Sequence, residues 1–256
     1  VTRGIVEAHI AGSVTSTSMM VNTPGFEDAA ERARSLPTLG IGLHLNLVHG
    51  RPLTAVPTLT DRRTGAFHSL GALAWRAIAG LISPDEVVQE TAAQIERLHA
   101  TGLPITHLDG HRHAHILPNI WAPVVKAALE QDIHIIRRPC ESLRLNPANA
   151  QGTFNKAGLR VALRLARREG VRGPDHFAGI SIRVERPLVP QLLALLDSLA
   201  PGSTELMVHV GHADAELAAL DPYTAPREAE LAALTSPELR VRLERGDIEL
   251  VNFGAL

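Results

Sequence analysis

Cysteine is nearly absent from this chain: among 256 residues there is one, Cys140. A single thiol excludes an internal disulfide and a cysteine-rich zinc site. Aromatic residues make up only 3%, too few for a platform on which bases of single-stranded nucleic acid could stack. Charge of neither sign predominates. Lys and Arg number 25 and Asp and Glu 27, a formal net charge of −2 with histidine neutral, which excludes the basic footprint of a nucleic-acid or anionic-lipid binder. No apolar run approaches the roughly 18 residues that a bilayer span requires, and the N-terminus carries no signal-peptide pattern. The expectation is a cytoplasmic protein with no membrane span and no nucleic-acid partner. The small basic clusters Arg137-Arg138 and Arg167-Arg168 fit a solvated helix face or a local anion contact.

What the chain does have is an ordinary globular composition, 45% hydrophobic and 20% charged, enough to bury a full core. Neither a repeat, a low-complexity segment nor an interdomain linker divides it, so residues 1–256 read as one domain. A helical start (Thr2 to His9) is followed by a strand over Val14–Val21, a helix over Phe26–Ser35 and an alternating strand, Ile41–Leu47. In that strand Leu43, Leu45 and Leu47 face one side, His44 and Asn46 the other. After a Pro-rich loop (His49–Phe67) come helices over Leu70–Ile82 and Pro84–Ala100, the second capped by Ser83 with Glu86 three residues on. A buried strand over Pro104–Leu108 breaks at Gly110 into a loop, and a helix runs from Pro118 to Gln131. Further on, Ile133–Ile136 reads as a strand, Lys156–Arg168 as a helix, His176–Ile180 as a short extended piece and Val189–Ala200 as a helix. Glu205–Val210 reads as a strand, Arg227–Leu234 and Pro237–Arg245 as helices, and Ile248–Val251 as the last strand. Regular alternation of strand and helix predicts a parallel sheet with right-handed crossovers, an α/β fold of barrel-like, TIM-barrel-related type with about six or seven strands.

The chemistry concentrates in histidine. Four fall within nine residues of Thr106-His107-Leu108-Asp109-Gly110-His111-Arg112-His113-Ala114-His115, and neutral imidazole is the commonest metal ligand at physiological pH. His44, His111 and His209 each stand at or near the C-terminal end of an apolar strand, where parallel α/β folds place their sites. Two imidazoles and a carboxylate would give a divalent cation three ligands and leave positions for water and substrate. A third histidine, protonated, would serve the leaving amine, and His209 fits because it lies on a separate strand. Taken singly, a histidine in such a fold is more often a packed structural group than a ligand, and His9, His68, His99 and His134 are read so. His107 reads as packed or bonded to the backbone. His113 and His115 read as donors to a ligand, substrate contacts or loop residues. Asp109 reads as a ligand, a turn former or a partner orienting an imidazole, the last being favoured.

These residues resemble the YdjC-like carbohydrate deacetylases, a family that includes the chitooligosaccharide and hopanoid-associated branches. The resemblance runs through Gly4–His9, Val14–Asn22, Gly42–Leu47 with Gly50–Leu53, Thr106–His115, Glu205–His209, Tyr223, Arg227–Leu231 and Leu234–Ser236. It implies metal-dependent removal of an acetyl group from an N-acetylated sugar or short oligosaccharide. The cation, Mg2+ or Zn2+, would be bound by His44 and His111, with His209 as general acid and Asp109 and His113 lining the sugar cleft.

The sequence departs from the family pattern twice. The family's opening strand, ending Ala-Asp-Asp-Phe-Gly and expected to supply a catalytic base and a third metal ligand, does not precede Val1. A fragment, a GTG start assigned too far downstream and a real truncation all fit, and a barrel without its first strand is expected to expose edges, dissolve poorly or bind metal weakly. Second, Val208-His209-Val210-Gly211-His212 stands where the family has Cys-His-Pro; His209, which ends the strand, is the preferred acid over His212. An inactive sugar-binding remnant of the family is the alternative reading, and a phosphoester hydrolase ranks below both. The apolar helices Leu70–Ile82 and Val189–Ala200 offer a homodimer face as well as core.

Overall fold

The computed structural model describes residues 1–141, 170–183, 185–220 and 223–256. The helix expected over 156–168 lies outside these residues. Three strands, β1 (Ser16–Met19), β2 (Gly40–Leu45) and β3 (Ile105–Gly110), form a parallel sheet in the order β1-β2-β3. Single parallel bridges extend the arc, Leu108 with Ile136 and Ile135 with Arg172. The chain then enters β4 (His176–Ala178), which pairs in parallel with β5 (Thr204–Leu206). The run Ile133–Ile136 therefore contributes two bridges rather than a strand, and Ile248–Val251 is irregular rather than a strand. Both are only four residues long, a length at which an apolar run does not determine its own pairing.

Helices cross between the strands: α1 (Thr2–Ile10) ahead of β1, α2 (Phe26–Ala33), α3 (Leu70–Ile78) and α4 (Pro84–His99), α5 (Trp121–Glu130), and α6 (Leu188–Leu196). After β5 come α7 (Ala215–Leu220), α8 (Ala225–Leu234) and α9 (Pro237–Leu243). The α6 helix buries Leu188, Leu192 and Leu196, one face at four-residue spacing. By contrast α3 leaves Trp75 and Ile78 exposed. None of the helices described is long and apolar enough to cross a membrane.

The alternation in β2 appears as read, with Leu43, Leu45 and Leu47 buried and His44 on the opposite face, partly open to solvent. Gly42 is required where it stands, because a Cβ there would lie 2.4 Å from the His107 ring of the neighbouring strand. That ring stacks on Phe253 at 3.9 Å between centroids, and its Nδ1 lies 2.9 Å from the Thr106 hydroxyl.

The loop after β2 is tied down by carboxylates of α4. Glu90, fully buried, accepts from the backbone N–H of Leu53 and Thr54, the Thr54 hydroxyl and the Gln94 amide. Glu86 accepts from the Thr58 N–H at 2.7 Å and its hydroxyl at 2.8 Å. The capping role expected of Ser83 is not made, since its side chain forms no cap bond, and Glu86 serves the loop instead. Buried Asn46 donates to the His49 carbonyl at 2.7 Å and accepts the His49 N–H at 3.0 Å, which fixes His49 at the loop's entry.

Candidate functional site

The C-terminal ends of β2, β3 and β5 open into one end of a cavity of about 1770 Å³ that also reaches Ser16 and Thr204 at the opposite ends of β1 and β5; His44, His49, His111, His113, His209 and Tyr223 line it. The histidine-rich segment is not an open loop. β3 runs on through Asp109 and Gly110, and residues His111–Ile116 make a 3-10 turn in which Arg112 (φ 51°) and His113 (φ 57°) adopt left-handed backbone. Non-glycine residues rarely hold that conformation, at a cost of about 1–2 kcal/mol each. The turn closes tightly: a Cβ on Gly110 would meet the His115 ring at 2.5 Å.

His44 and His111 come together with ring centroids 5.5 Å apart and planes at 73°. His49 joins them, 6.3 Å from His111. His44 Nδ1 lies 2.6 Å from Asp109 Oδ1 and 3.2 Å from the Ser18 hydroxyl, so it is held from both neighbouring strands. Asp109 is buried on β3. Its second oxygen faces Arg137 Nη1 in a close ion pair, a charge contact rather than an aligned hydrogen bond. Arg137 in turn donates from Nε to Glu205 Oε1 at 2.5 Å. A continuous buried chain, His44–Asp109–Arg137–Glu205, thus joins β2, β3, the 135–137 segment and β5.

Burial alone would raise the Asp109 carboxyl, but the Arg137 guanidinium and then His44 outweigh it and hold it well below the usual carboxylate range. Burial raises Glu205, an effect only partly offset by Arg137. Because Asp109 is an anion that only accepts, His44 Nδ1 must donate, and the lone pair then sits on Nε2. Asp109 is therefore an orienting partner. Asp109, expected to line a sugar cleft, borders the cavity from its buried place on β3. Arg137, read as a solvated helix face or a local anion contact, is the second of these, and buried.

His113 is packed edge-on to Phe177 at 6.2 Å and lies near His115. Burial lowers both rings, His113 to about 3 and His115 to about 4, so both are neutral. His115 Nε2 donates to the Arg137 carbonyl at 3.0 Å. Across the cleft, the backbone N–H of His209 donates to Glu230 on α8, which also accepts the Tyr223 hydroxyl at 2.8 Å. The His209 and Tyr223 rings meet edge-on at 5.5 Å. His209 keeps solvent-exposed surface, yet it lies deep among protein atoms; desolvation, then the Arg227 and Arg137 charges, favours its neutral form. His212 points elsewhere, pairing with Glu7 of α1 at 2.9 Å. His9 bonds the Val14 carbonyl and the Thr38 hydroxyl, and His134 pairs with exposed Asp132, as structural groups do.

Sequence reasoning missed Glu205, Glu230 and His49, and did not give Arg137 its partners. One signal was available: a charged residue within or closing an apolar run, as at Ile133–Arg137 and Glu205–Val210, must find a countercharge if the run is buried.

Among the described residues no three His, Cys, Asp or Glu side chains converge closely enough to hold a cation unaided. Two donors nevertheless fit one. With a metal–nitrogen distance of about 2.1 Å, imidazoles sharing a tetrahedral cation have ring centroids roughly 5 Å apart, close to the His44–His111 separation. His44 Nε2 has the lone pair such a bond needs, and water, substrate or a further carboxylate would complete the shell.

A family model described as YdjC-like protein matches residues 1–245. A carbohydrate deacetylase of Brevibacillus brevis is 33% identical over 99% of this chain and 92% of its own length. A chitooligosaccharide deacetylase of Yersinia pestis is 35% identical over 98% of this chain and 91% of its own. Among solved structures, an Enterococcus faecalis protein described as a candidate cellobiose-phosphate cleavage protein superposes with a TM-score of 0.77 at 27% identity, covering 99% of this chain and 92% of that one.

Proposed function

Because the chain belongs to the YdjC-like family, we propose that it is a metal-dependent hydrolase that removes an acetyl group from an N-acetylated sugar or short oligosaccharide. The observation that carries this is the pairing of His44, fixed through Nδ1 by Asp109, with His111 at 5.5 Å, at the mouth of three parallel strands. A divalent cation (Zn2+ or Mg2+) held by these two imidazoles would polarise the amide carbonyl and acidify an attacking water.

The protein's own groups account for the remaining needs of the reaction. Water adds to the acyl carbon, the C–N bond breaks, acetate leaves with the hydroxyl and the amine takes a proton. A neutral His209, facing the ligand pair across the cleft, can collect the proton released by water and deliver it to the departing nitrogen. The backbone bond to Glu230 and the Tyr223 ring hold it in place. His113, packed and neutral, and His49, at the loop entry, would border the sugar.

The experiment is acetate release from N-acetylglucosamine oligomers with added Zn2+ or Mg2+. His111→Ala is expected to abolish turnover, and undiminished release in that variant would overturn the proposal. The two-donor count also favours a second reading, a sugar-binding protein without turnover. That reading predicts oligosaccharide binding with no acetate from the unmodified chain under either metal.

A further inference from the structure

We propose that Arg137 is a positioning residue, whose guanidinium, clamped between Glu205 and Asp109, fixes the carboxylate that orients His44. The inference deepens the proposed function and rests on it for the role of His44 as a ligand.

Arg137 touches every part of this half of the site. Its backbone N–H donates to the Leu108 carbonyl at 2.9 Å, which locks the residue beside Asp109 on β3. Its carbonyl accepts from His115 in the 3-10 turn at 3.0 Å. Its guanidinium lies 5.9 Å from the Phe177 ring centroid on β4, the same ring that packs on His113. Two different nitrogens serve the two carboxylates, Nε for Glu205 and Nη1 for Asp109. Because the guanidinium is planar and rigid, engaging Glu205 dictates where Nη1 stands and so where the Asp109 carboxylate is held.

The arrangement has two consequences for His44. Asp109 stays ionised and fixed in orientation, so Nδ1–H has one acceptor and Nε2 one lone-pair direction. The buried groups also sum to one negative charge, two carboxylates against one guanidinium, which favours a cation beside them. A lysine would supply the charge but only a point donor, unable to reproduce a fork that spans both carboxylates. Partners that orient a ligating histidine typically contribute 10–100-fold to metal affinity.

The test compares unmodified protein with Arg137→Lys in three measurements: melting temperature, the 15N side-chain spectrum of His44 in metal-free protein, and calorimetric titration with Zn2+. Arg137→Lys is expected to melt near the unmodified protein. It should show a mixture of His44 tautomers in place of the single Nδ1–H form and bind Zn2+ about tenfold more weakly. Unchanged tautomer and unchanged affinity would overturn the proposal and leave Arg137 a structural ion pair. Should the lysine variant not fold, Arg137→Met with Glu205→Gln removes one charge of each sign and leaves no unpaired Glu205. The same two shifts are expected there, and their absence would be equally decisive. The tautomer is read without metal or substrate, so failure of the deacetylase reading, seen as no acetate from any substrate, is distinguishable from failure of this one.

Discussion

The two sides of the cleft hold their histidines by different physical means. On one side His44 stands on β2 and His111 directly after its paired neighbour β3, and His44 is fixed through its ring by a chain of charges ending at Glu205. On the other, His209 stands beyond a three-residue strand and is fixed through its backbone N–H by Glu230, with the Tyr223 ring against it. The first device sets the direction of a lone pair, as a ligand requires. The second fixes the main chain, and among the described residues no hydrogen bond commits either ring nitrogen of His209, as a group that receives and returns a proton requires. Burial differs in parallel: His107 and His115 on the first side are 1% and 0% exposed, whereas His209 keeps solvent-exposed surface.

Acid costs the first side more than the second, because three neutral buried imidazoles stand there against His209 alone, and this is the largest effect expected. Burial lowers His107 and His113 to about 3 and His115 to about 4, against an unfolded value of about 6.5. The folded state thus binds fewer protons than the unfolded chain between these limits. The stability that follows is fully present above pH 6.5 and is lost as pH falls toward the folded values. At pH 5 the loss is about 2 kcal/mol for each of the three imidazoles. Denaturant melts at pH 7.5 and pH 5 measure it, and His107→Asn, which keeps a polar amide in place of the ring but does not titrate, should remove about a third of the difference. Equal midpoints at the two pH values would contradict the burial of these rings as neutral groups.

A smaller effect separates the two sides functionally. Glu230→Gln keeps one oxygen for the His209 N–H, turns an NH2 toward the Tyr223 hydroxyl in place of the second oxygen, and removes the charge that strengthens both bonds. A loss of about 1.4 kcal/mol in the transition state, or tenfold in kcat for acetate release, is expected, with Zn2+ affinity unchanged because His44 and His111 do not depend on Glu230. If kcat held while Zn2+ affinity fell, the division of labour between the sides would be wrong.

How far the site could be read from sequence follows the same division. The strand β2 disclosed its own orientation, since alternating leucines put His44 on the opposite face, and the density of histidine in Thr106–His115 located the floor of the cleft. The resemblance to YdjC-like deacetylases organised both. What stayed hidden was long-range. Arg137 acquires its meaning from Glu205, 68 residues away, and no local pattern states that two charges will share a buried plane. Ile248–Val251 looked like a strand because three apolar residues among four are too few to set a period, and it lies irregular in the fold. The segment after Gly110 was read as a loop because Gly110 looked like a breaker; instead Gly110 is the last residue of β3, needed where the His115 ring crosses closely.

The backbone of that turn yields the smallest effect, and one of opposite sign. Arg112 holds φ at 51° with its side chain exposed, so replacing it removes left-handed strain without opening a cavity. Glycine adopts this conformation freely, though the unfolded chain gains entropy from it. The strain relieved exceeds that gain, and Arg112→Gly should stabilise the fold by about 0.5 kcal/mol. Should the same variant lose activity while gaining stability, the strain serves to hold His111 and His113 at the mouth of the cleft; should it gain stability with activity intact, His111 is held by β3 and the buried charge chain alone. A denaturant midpoint and an acetate assay on one protein preparation distinguish the two outcomes.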